Sequence, residues 1–473
     1  MSNKEEKSQA AKLKAELTRR KPSGALKLDN ETIKIADEFC IGYKDFIDEG
    51  KIEREAVRKA EKIALENGFV KYELTGKYKP GDRIYVINRG KNIAMAVIGR
   101  NGTKNGVRLA IAHIDSPRLD LKPNPLYESR DLALFKTHYY GGIKKYQWTT
   151  IPLALHGRVV LLNGDMVDVS IGESEDEPCF VVSDILPHLA QEQVTKPLGK
   201  AFTGEDLNVL VGSRPFNNDD ESEQVKLNIL NILHDKYGMT EGDFLSAELE
   251  LVPAFKARDI GFDRSLIGAY GHDDKVCAYP AVMAAVQTDV PESTVITVLV
   301  DKEEIGSDGN TGMQSTFMRD FIADLAQADG MEPRHVMAKS TCLSADVNAA
   351  FDPTYSKAFE ANNSSYLNGG VIITKYTGSG GKYDTNDASA EYMGQIRRML
   401  HRNGILWQTG ELGRVDLGGG GTIAKYVANL NVDVVDLGVP VLSMHAPFEV
   451  VSKVDVYMAY RAFSEFFNEK FDV

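Results

Sequence analysis

Two stretches near the start of the chain carry apolar residues at three- and four-residue spacing. They are ETIKIADEFCIGYKDFIDEGK, just after Asn30, and EREAVRKAEKIALENG, and each predicts an amphipathic helix. The pattern then shifts to strands. DRIYVINRG and KNIAMAVIG flank an Arg-Gly-Lys turn and predict a hairpin, and VRLAIAHIDSP runs apolar into His113 before Pro117 stops it. From about Arg118 to Lys256 the character differs, and the first half shows no helix–strand alternation. IPLALHGRVVLL and PCFVVSDILPHLA follow Gly141-Gly142 and read as β-structure, while the acidic runs GESEDEP and NNDDESE read as solvated loops. After Ala257 an α/β pattern returns. KVCAYPAVMAAVQ reads as a helix. STVITVLVDKEEIGS, HVMAKSTCLSADVNAA and VDVVDLGVPVLSMHAPFE read as strands that end in polar residues, and SKVDVYMAYRAFSEFFNE reads as a closing helix. The expected fold is α/β, a central mixed sheet flanked by helices. Its two parts, residues 1–117 and 256–473, enclose an inserted β-rich domain at 118–255.

Composition narrows the function. A chain of 473 residues, 43% hydrophobic, is too long for one simple core. A formal net charge of -13 and a pI of about 5.3 argue against nucleic-acid or anionic-membrane partners. The four cysteines are scattered, with no CxxC pair. That argues against a disulfide framework and a thiolate zinc site, and it suits a reducing cytosol. The N-terminal MSNKEEKSQAAKLKAELTRRKPSG lacks the apolar core of a signal peptide. Residues 1 to about 25 read as a charged helical or frayed extension. No apolar run reaches the length of a membrane span. A cytoplasmic location is the expectation.

Five segments present a metal-compatible group, four of them just past an apolar strand. They are His113 in AHIDSP, Asp273 in GHDDKVCA, Glu303-Glu304 in DKEEIGS, Asp346 in LSADVNAA and His445 in LSMHAPFE. Strands that deliver polar residues at their C-terminal ends in an open α/β sheet place them in one crevice. Imidazole plus carboxylate without cysteine is the ligand set of hydrolytic zinc, cobalt or manganese. A two-metal site needs a bridging carboxylate, separate ligands for each ion and a base for the water. These residues meet that count. Asp115, two residues after His113, lies on the same side of an extended segment and is placed to hold the second imidazole nitrogen. Each residue alone has a plain alternative: a surface histidine, an aspartate cap, a solvated acid pair. One shared site accounts for all five together.

The sequence resembles the aspartyl aminopeptidase-like metallopeptidase family from about residue 30 to the end. AHIDSPRLDLKPNPLYE, YYGGIKKYQW, SDILPHLA, DKEEIGS, SADVNAAFDPTY and VLSMHAPFE fall in that family's order. The resemblance implies a dinuclear zinc-aminopeptidase fold whose inserted domain mediates dimerisation. It implies His113, Asp273 and Asp346 on one metal and Asp273, Glu304 and His445 on the other. Asp273 would bridge and precede a cis peptide, and Glu303 would be the general base. It also implies peptide substrates and a dodecamer built from dimers, where the sequence itself supports only an interface. Two departures point to a bacterial branch: HDD in place of an LDN-type triplet, and Asp352 where the family carries histidine. GGGGT, Gly418 to Thr422, lacks the Lys-Ser/Thr ending of a P-loop. It reads as a close backbone approach to the site, with Gly421 on the substrate side. Lys382 and Tyr383, after Gly380-Gly381, resemble a substrate loop and equally a surface turn. Lys382 is the local cation for an acidic substrate side chain, and the nearby Asp384 and Asp387 would neutralise it in favour of neutral residues. His188 reads as structural. Two alternatives stay open: a dinuclear carboxypeptidase or N-acyl deacylase, and a non-catalytic assembly protein.

Overall fold

The first two helices form where the apolar spacing places them, at Asn30–Glu49 and Glu53–Glu66. Asp29 caps the first by accepting the Thr32 N–H at 2.8 Å. Its buried face is Ala36, Cys40, Tyr43, Phe46 and Ile47, the three- and four-residue rhythm of one helical stripe. The computed structural model from which this geometry is taken describes residues 8–18, 24–217, 221–469 and 471. Of the charged N-terminal extension, Gln9–Leu17 is a helix with no buried residue; residues 1–7 and 19–23 lie outside the described part, as do 218–220 of the second acidic run.

A nine-stranded mixed sheet forms the centre. Its order is Val70–Lys71, Arg83–Asn88, Asn92–Val97, Val295–Val300, Arg108–His113, Thr341–Ser344, Asp433–Gly438, Val371–Thr374 and Trp407–Thr409. The predicted hairpin is the antiparallel pair Arg83–Asn88 and Asn92–Val97. The four strands from Val295–Val300 to Asp433–Gly438 run parallel. Their apolar runs are buried because helices cover both faces. Along Arg108–His113 the side chains alternate between two cores. Ala110 and Ala112 face the helices Asn30–Glu49, His272–Gln287 and Lys453–Asn468; Leu109 and Ile111 face Phe317–Ala328 and Ala424–Ala428.

Every strand of a separate seven-stranded sheet falls between Arg118 and Pro253, and this sheet has its own core around Trp148. A five-stranded sheet joins Arg258–Ile260, Leu266–Ala269, Glu449–Ser452, Pro440–Leu442 and Asn348–Ala349. Three local readings change. HVM of HVMAKSTCLSADVNAA is helical, in Pro333–Met337, and the strand begins only at Thr341; Pro333 starts the helix, where its missing N–H costs nothing. PCFVVSDILPHLA keeps a two-residue strand, Val181–Val182, before the turn at Pro187–Leu189, where His188 is exposed rather than structural. In the acidic run GESEDEP, Glu173 is drawn inward by Lys51 at 2.7 Å and His156 at 3.0 Å.

Candidate metal centre

The parallel strands end at one edge, and the residues beyond them turn into a single crevice. His113 closes its own strand. Glu303 and Glu304 sit in the turn that follows Val295–Val300, and Asp346 lies two residues past Ser344. Asp433–Gly438 leads through Pro440–Leu442 to the loop carrying His445. Asp273 arrives from the other side, at the start of helix His272–Gln287, and the Asp273–Asp274 peptide is cis.

Asp273 stands at the middle of the cluster. His113 Nε2 is 3.0 Å from its Oδ1, and His445 Nε2 is 3.2 Å from its Oδ2 and 3.4 Å from Glu304 Oε2. The donor atoms of His113, Asp273 and Asp346 all lie within 4.8 Å of one another, as do those of Asp273, Glu304 and His445. The structure therefore brings together the five residues singled out from the sequence. Glu303 is beside them, its Oε2 4.0 Å from His113 Nε2.

The electrostatics of this cluster call for added positive charge. Burial pushes the Glu303 carboxyl up to about 7 and those of Glu304 and Asp346 well above their ordinary range. Burial would lower the His445 imidazole, but Asp273 and Glu304 outweigh it and raise it to about 10. Glu304 Oε1 is buried without a hydrogen-bond partner. More carboxylates than imidazoles share one buried space, a costly arrangement unless cations join them. The donors fit such ions. Two donors each ~2.0–2.1 Å from a tetrahedral zinc stand roughly 3.3 Å apart, and the histidine–carboxylate spacings of 3.0–3.4 Å match that.

A ring of partners orients the donors. His113 Nδ1 lies 3.2 Å from Asp115 Oδ1 and 3.1 Å from the Asp115 carbonyl oxygen. The Asp115 carboxylate also accepts the backbone N–H groups of Glu303 and Glu304, each at 3.1 Å. Glu449, which the sequence reading passed over, accepts the Asp273 N–H at 3.1 Å and the His445 N–H at 2.7 Å. Its position at the end of HAPFE, four residues beyond His445 and opening a buried strand, was the available signal.

Lys382, Tyr383 and Gly421 are not members of these donor groups. Lys382 Nζ donates to Asp387 at 2.8 Å and stands 3.8 Å over the Tyr376 ring. Tyr383 is exposed. Gly419–Gly420 pairs antiparallel with Gly378–Ser379, which ties the glycine run to the Lys382 loop. Thr422, the last residue of GGGGT, anchors that run by donating to Asp436 Oδ1 at 2.8 Å.

The family model described as Aminopeptidase I zinc metalloprotease (M18) matches residues 46–467. The chain belongs to the M18 family. A probable M18 family aminopeptidase 1 of Clostridium acetobutylicum is 49% identical over 452 residues, 93% of this chain and 97% of that protein. The crystal structure of an M18 aminopeptidase from Thermotoga maritima superposes with a TM-score of 0.91 at 41% identity, over 95% of this chain and all of that one. A structure described as the yeast mApe1 dodecamer, 20% identical over 93% of this chain and 97% of its own, shares the fold with a TM-score of 0.73. This M18 protein is thus a zinc metallo-aminopeptidase on an α/β fold. Among its described residues no helix is long and apolar enough to cross a membrane.

Proposed function

We propose that this M18 aminopeptidase works through two divalent cations, zinc by family, held by the donors gathered around Asp273. His113, Asp273 and Asp346 would hold one, and Asp273, Glu304 and His445 the other, with Asp273 common to both. The observation that carries this reading is the sharing of Asp273 between two donor groups that differ in every other member. Bound there, the cation pair supplies Lewis acidity that makes a water nucleophilic near neutral pH and polarises the scissile carbonyl.

The chain's own residues do the rest. Glu303 accepts the proton of the attacking water and passes it to the departing amine. Its backbone N–H is fixed on Asp115 Oδ1, which anchors the turn that carries it. Asp115 and Glu449 keep His113, His445 and Asp273 in register. The Lys382 loop and the glycine run ending at Gly421 form the substrate side. A neutral or broad N-terminal preference is favoured there, because the lysines around the loop already face carboxylates. Lys375 and Lys382 share Asp387, and Lys425 meets Asp384 at 3.2 Å.

Assembly into a dodecamer through the 118–255 unit completes the reading. Ile185, Leu186, Leu189, Val194 and Leu198 are exposed along one short segment of that unit, and an apolar patch of this kind marks a contact surface. The reduced cysteines suit the cytoplasm. Metal analysis of the purified protein tests the centre. Two zinc per chain are expected, with loss from both sites in Asp273→Ala and from one site first in His113→Ala or His445→Ala. Equal zinc in Asp273→Ala and its parent would refute the bridge.

A further inference from the structure

The strands Arg118–Ser129 and Leu132–Tyr140 belong to the seven-stranded sheet, yet the end of that pair reaches the crevice. The Tyr140 hydroxyl donates to Asp115 Oδ2 at 2.8 Å. Asp115 is fully buried. Its carboxylate is the one that meets His113 and holds the Glu303–Glu304 turn, so a hydroxyl from the inserted sheet completes the shell of the group that orients half the cluster. Two residues on, the Gly142 carbonyl accepts His445 Nδ1–H at 2.9 Å. The turn has no room to spare. A Cβ on Gly142 would stand 3.3 Å from His445 Nδ1, and one on Gly141, at φ 76°, 3.3 Å from Glu304 Oε2.

Tyr140 is itself held firmly. The Arg118 guanidinium lies 3.9 Å over its ring. Arg118 pairs with Asp120 at 2.8 Å and Glu250 at 3.2 Å within the inserted sheet, and with Glu53 at 3.4 Å on the helix Glu53–Glu66. The tyrosine is thus braced from both sides of the junction.

We propose that the inserted sheet completes the metal centre, with Tyr140 and Gly142 as positioning residues that set Asp115, and through it His113, and His445 for cation binding. The proposal rests on the two-cation reading above. The physical reason is rotation. An imidazole that offers Nε2 to a cation needs its Nδ1–H tied to fix the ring. His445 takes that tie directly from the inserted chain, and His113 takes it from Asp115, which the inserted chain holds. The rest of the protein carries every donor atom, and the insert fixes the directions of the two imidazoles. Ties of this kind are worth roughly 10–100-fold in metal affinity or activity.

Zinc affinity, measured on the full chain by competition with a chromophoric chelator and no substrate, tests this. Tyr140→Phe keeps the ring against Arg118 and removes only the hydroxyl. It is expected to weaken zinc binding about tenfold and to lower kcat at saturating zinc. KM stays at the parent value, and the zinc-bound protein loses more melting temperature than the zinc-free protein does. Gly142→Ala, at an ordinary φ, is expected to weaken zinc as well, and Tyr139→Phe on the exposed neighbour to change nothing. His113→Ala in the same titration separates the two levels. If it leaves zinc binding intact, the ligand reading fails. If it weakens zinc while Tyr140→Phe binds zinc and turns over like the parent, the positioning role fails. A fall in melting temperature that is equal with and without zinc would make the hydroxyl merely structural and also overturn the proposal.

Discussion

Asp387→Ala is expected to move the substrate preference toward acidic N-terminal residues, and by a small factor. Asp387 accepts both Lys375 and Lys382, and the lysines and the aspartate are each 43% exposed. An ion pair in that setting is worth about 0.2–1 kcal/mol. Lys382 also rests on the Tyr376 ring, a contact worth about 0.5–1 kcal/mol at an exposed site, so it keeps its position when the carboxylate goes. The released ammonium then meets a substrate carboxylate in the same half-wet surroundings, for a gain of the same ~0.2–1 kcal/mol. That is roughly 1.5- to 5-fold in the ratio of kcat/KM for a glutamyl anilide over a leucyl anilide. The assay measures that ratio for the parent, Asp387→Ala and Lys382→Ala. The parent is expected to cut the leucyl substrate at least as well as the glutamyl one. Two results would refute the reasoning: a parent that prefers Asp or Glu tenfold, about 1.4 kcal/mol, or an unchanged ratio in Asp387→Ala, which would put the loop away from the substrate side chain.

Glu303→Gln is expected to keep its full zinc complement and lose about 10²–10⁴ in kcat, since the amide fills the space but takes no proton; metal content and turnover measured together check it, and near-full activity removes Glu303 as the base. At the junction of helix and inserted sheet, burial pushes the Glu173 carboxyl up, but His156, Lys51 and Lys256 outweigh it and hold it at about 2, below its ordinary 4.5. A depressed carboxylate adds stability above its unfolded value and loses it as the pH falls. The parent should therefore lose on the order of 3 kcal/mol between pH 5 and 2 that Glu173→Gln does not; parallel acid-unfolding curves for the two would contradict this. Light scattering is expected to give a particle of about twelve chains, and a stable, active monomer would remove the assembly from the reading.

The parts of the site that were legible in the sequence share one trait. His113, Glu303, Glu304 and Asp346 each follow an apolar run such as VITVLV, buried along its whole length. Solvent cannot reach those runs, so a charged group just past one must find a partner in the fold. Tyr140 and Gly142 were not legible because they act through bonds that spacing does not record, and Glu449 left only its place four residues past His445 as a signal. Gly142 uses a carbonyl, Glu449 receives two backbone amides, and Tyr140 is one of many tyrosines near a strand end. The helix Gln224–Tyr237 escaped notice for another reason. It lies in a stretch whose other segments read as β-structure, and only Val225 and Leu233 of its apolar face are buried. Glu173 read as solvent-facing because its neighbours in the acidic run are, while its counter-charges Lys51, His156 and Lys256 come from three other segments.

The spread of the donors along the chain also governs when the enzyme can first act. His113 reaches Asp346 and His445 only after its strand pairs in parallel with Thr341–Ser344, and that strand with Asp433–Gly438. Asp273 is set when Leu266–Ala269 zips against Glu449–Ser452. All of these are pairings between distant segments, the slow class of folding event, because loop closure precedes any reward. No local subset of the chain can gather both imidazoles on Asp273. The hydrolytic centre therefore needs several long-range pairings at once, and a half-folded molecule is a peptide without being a peptidase.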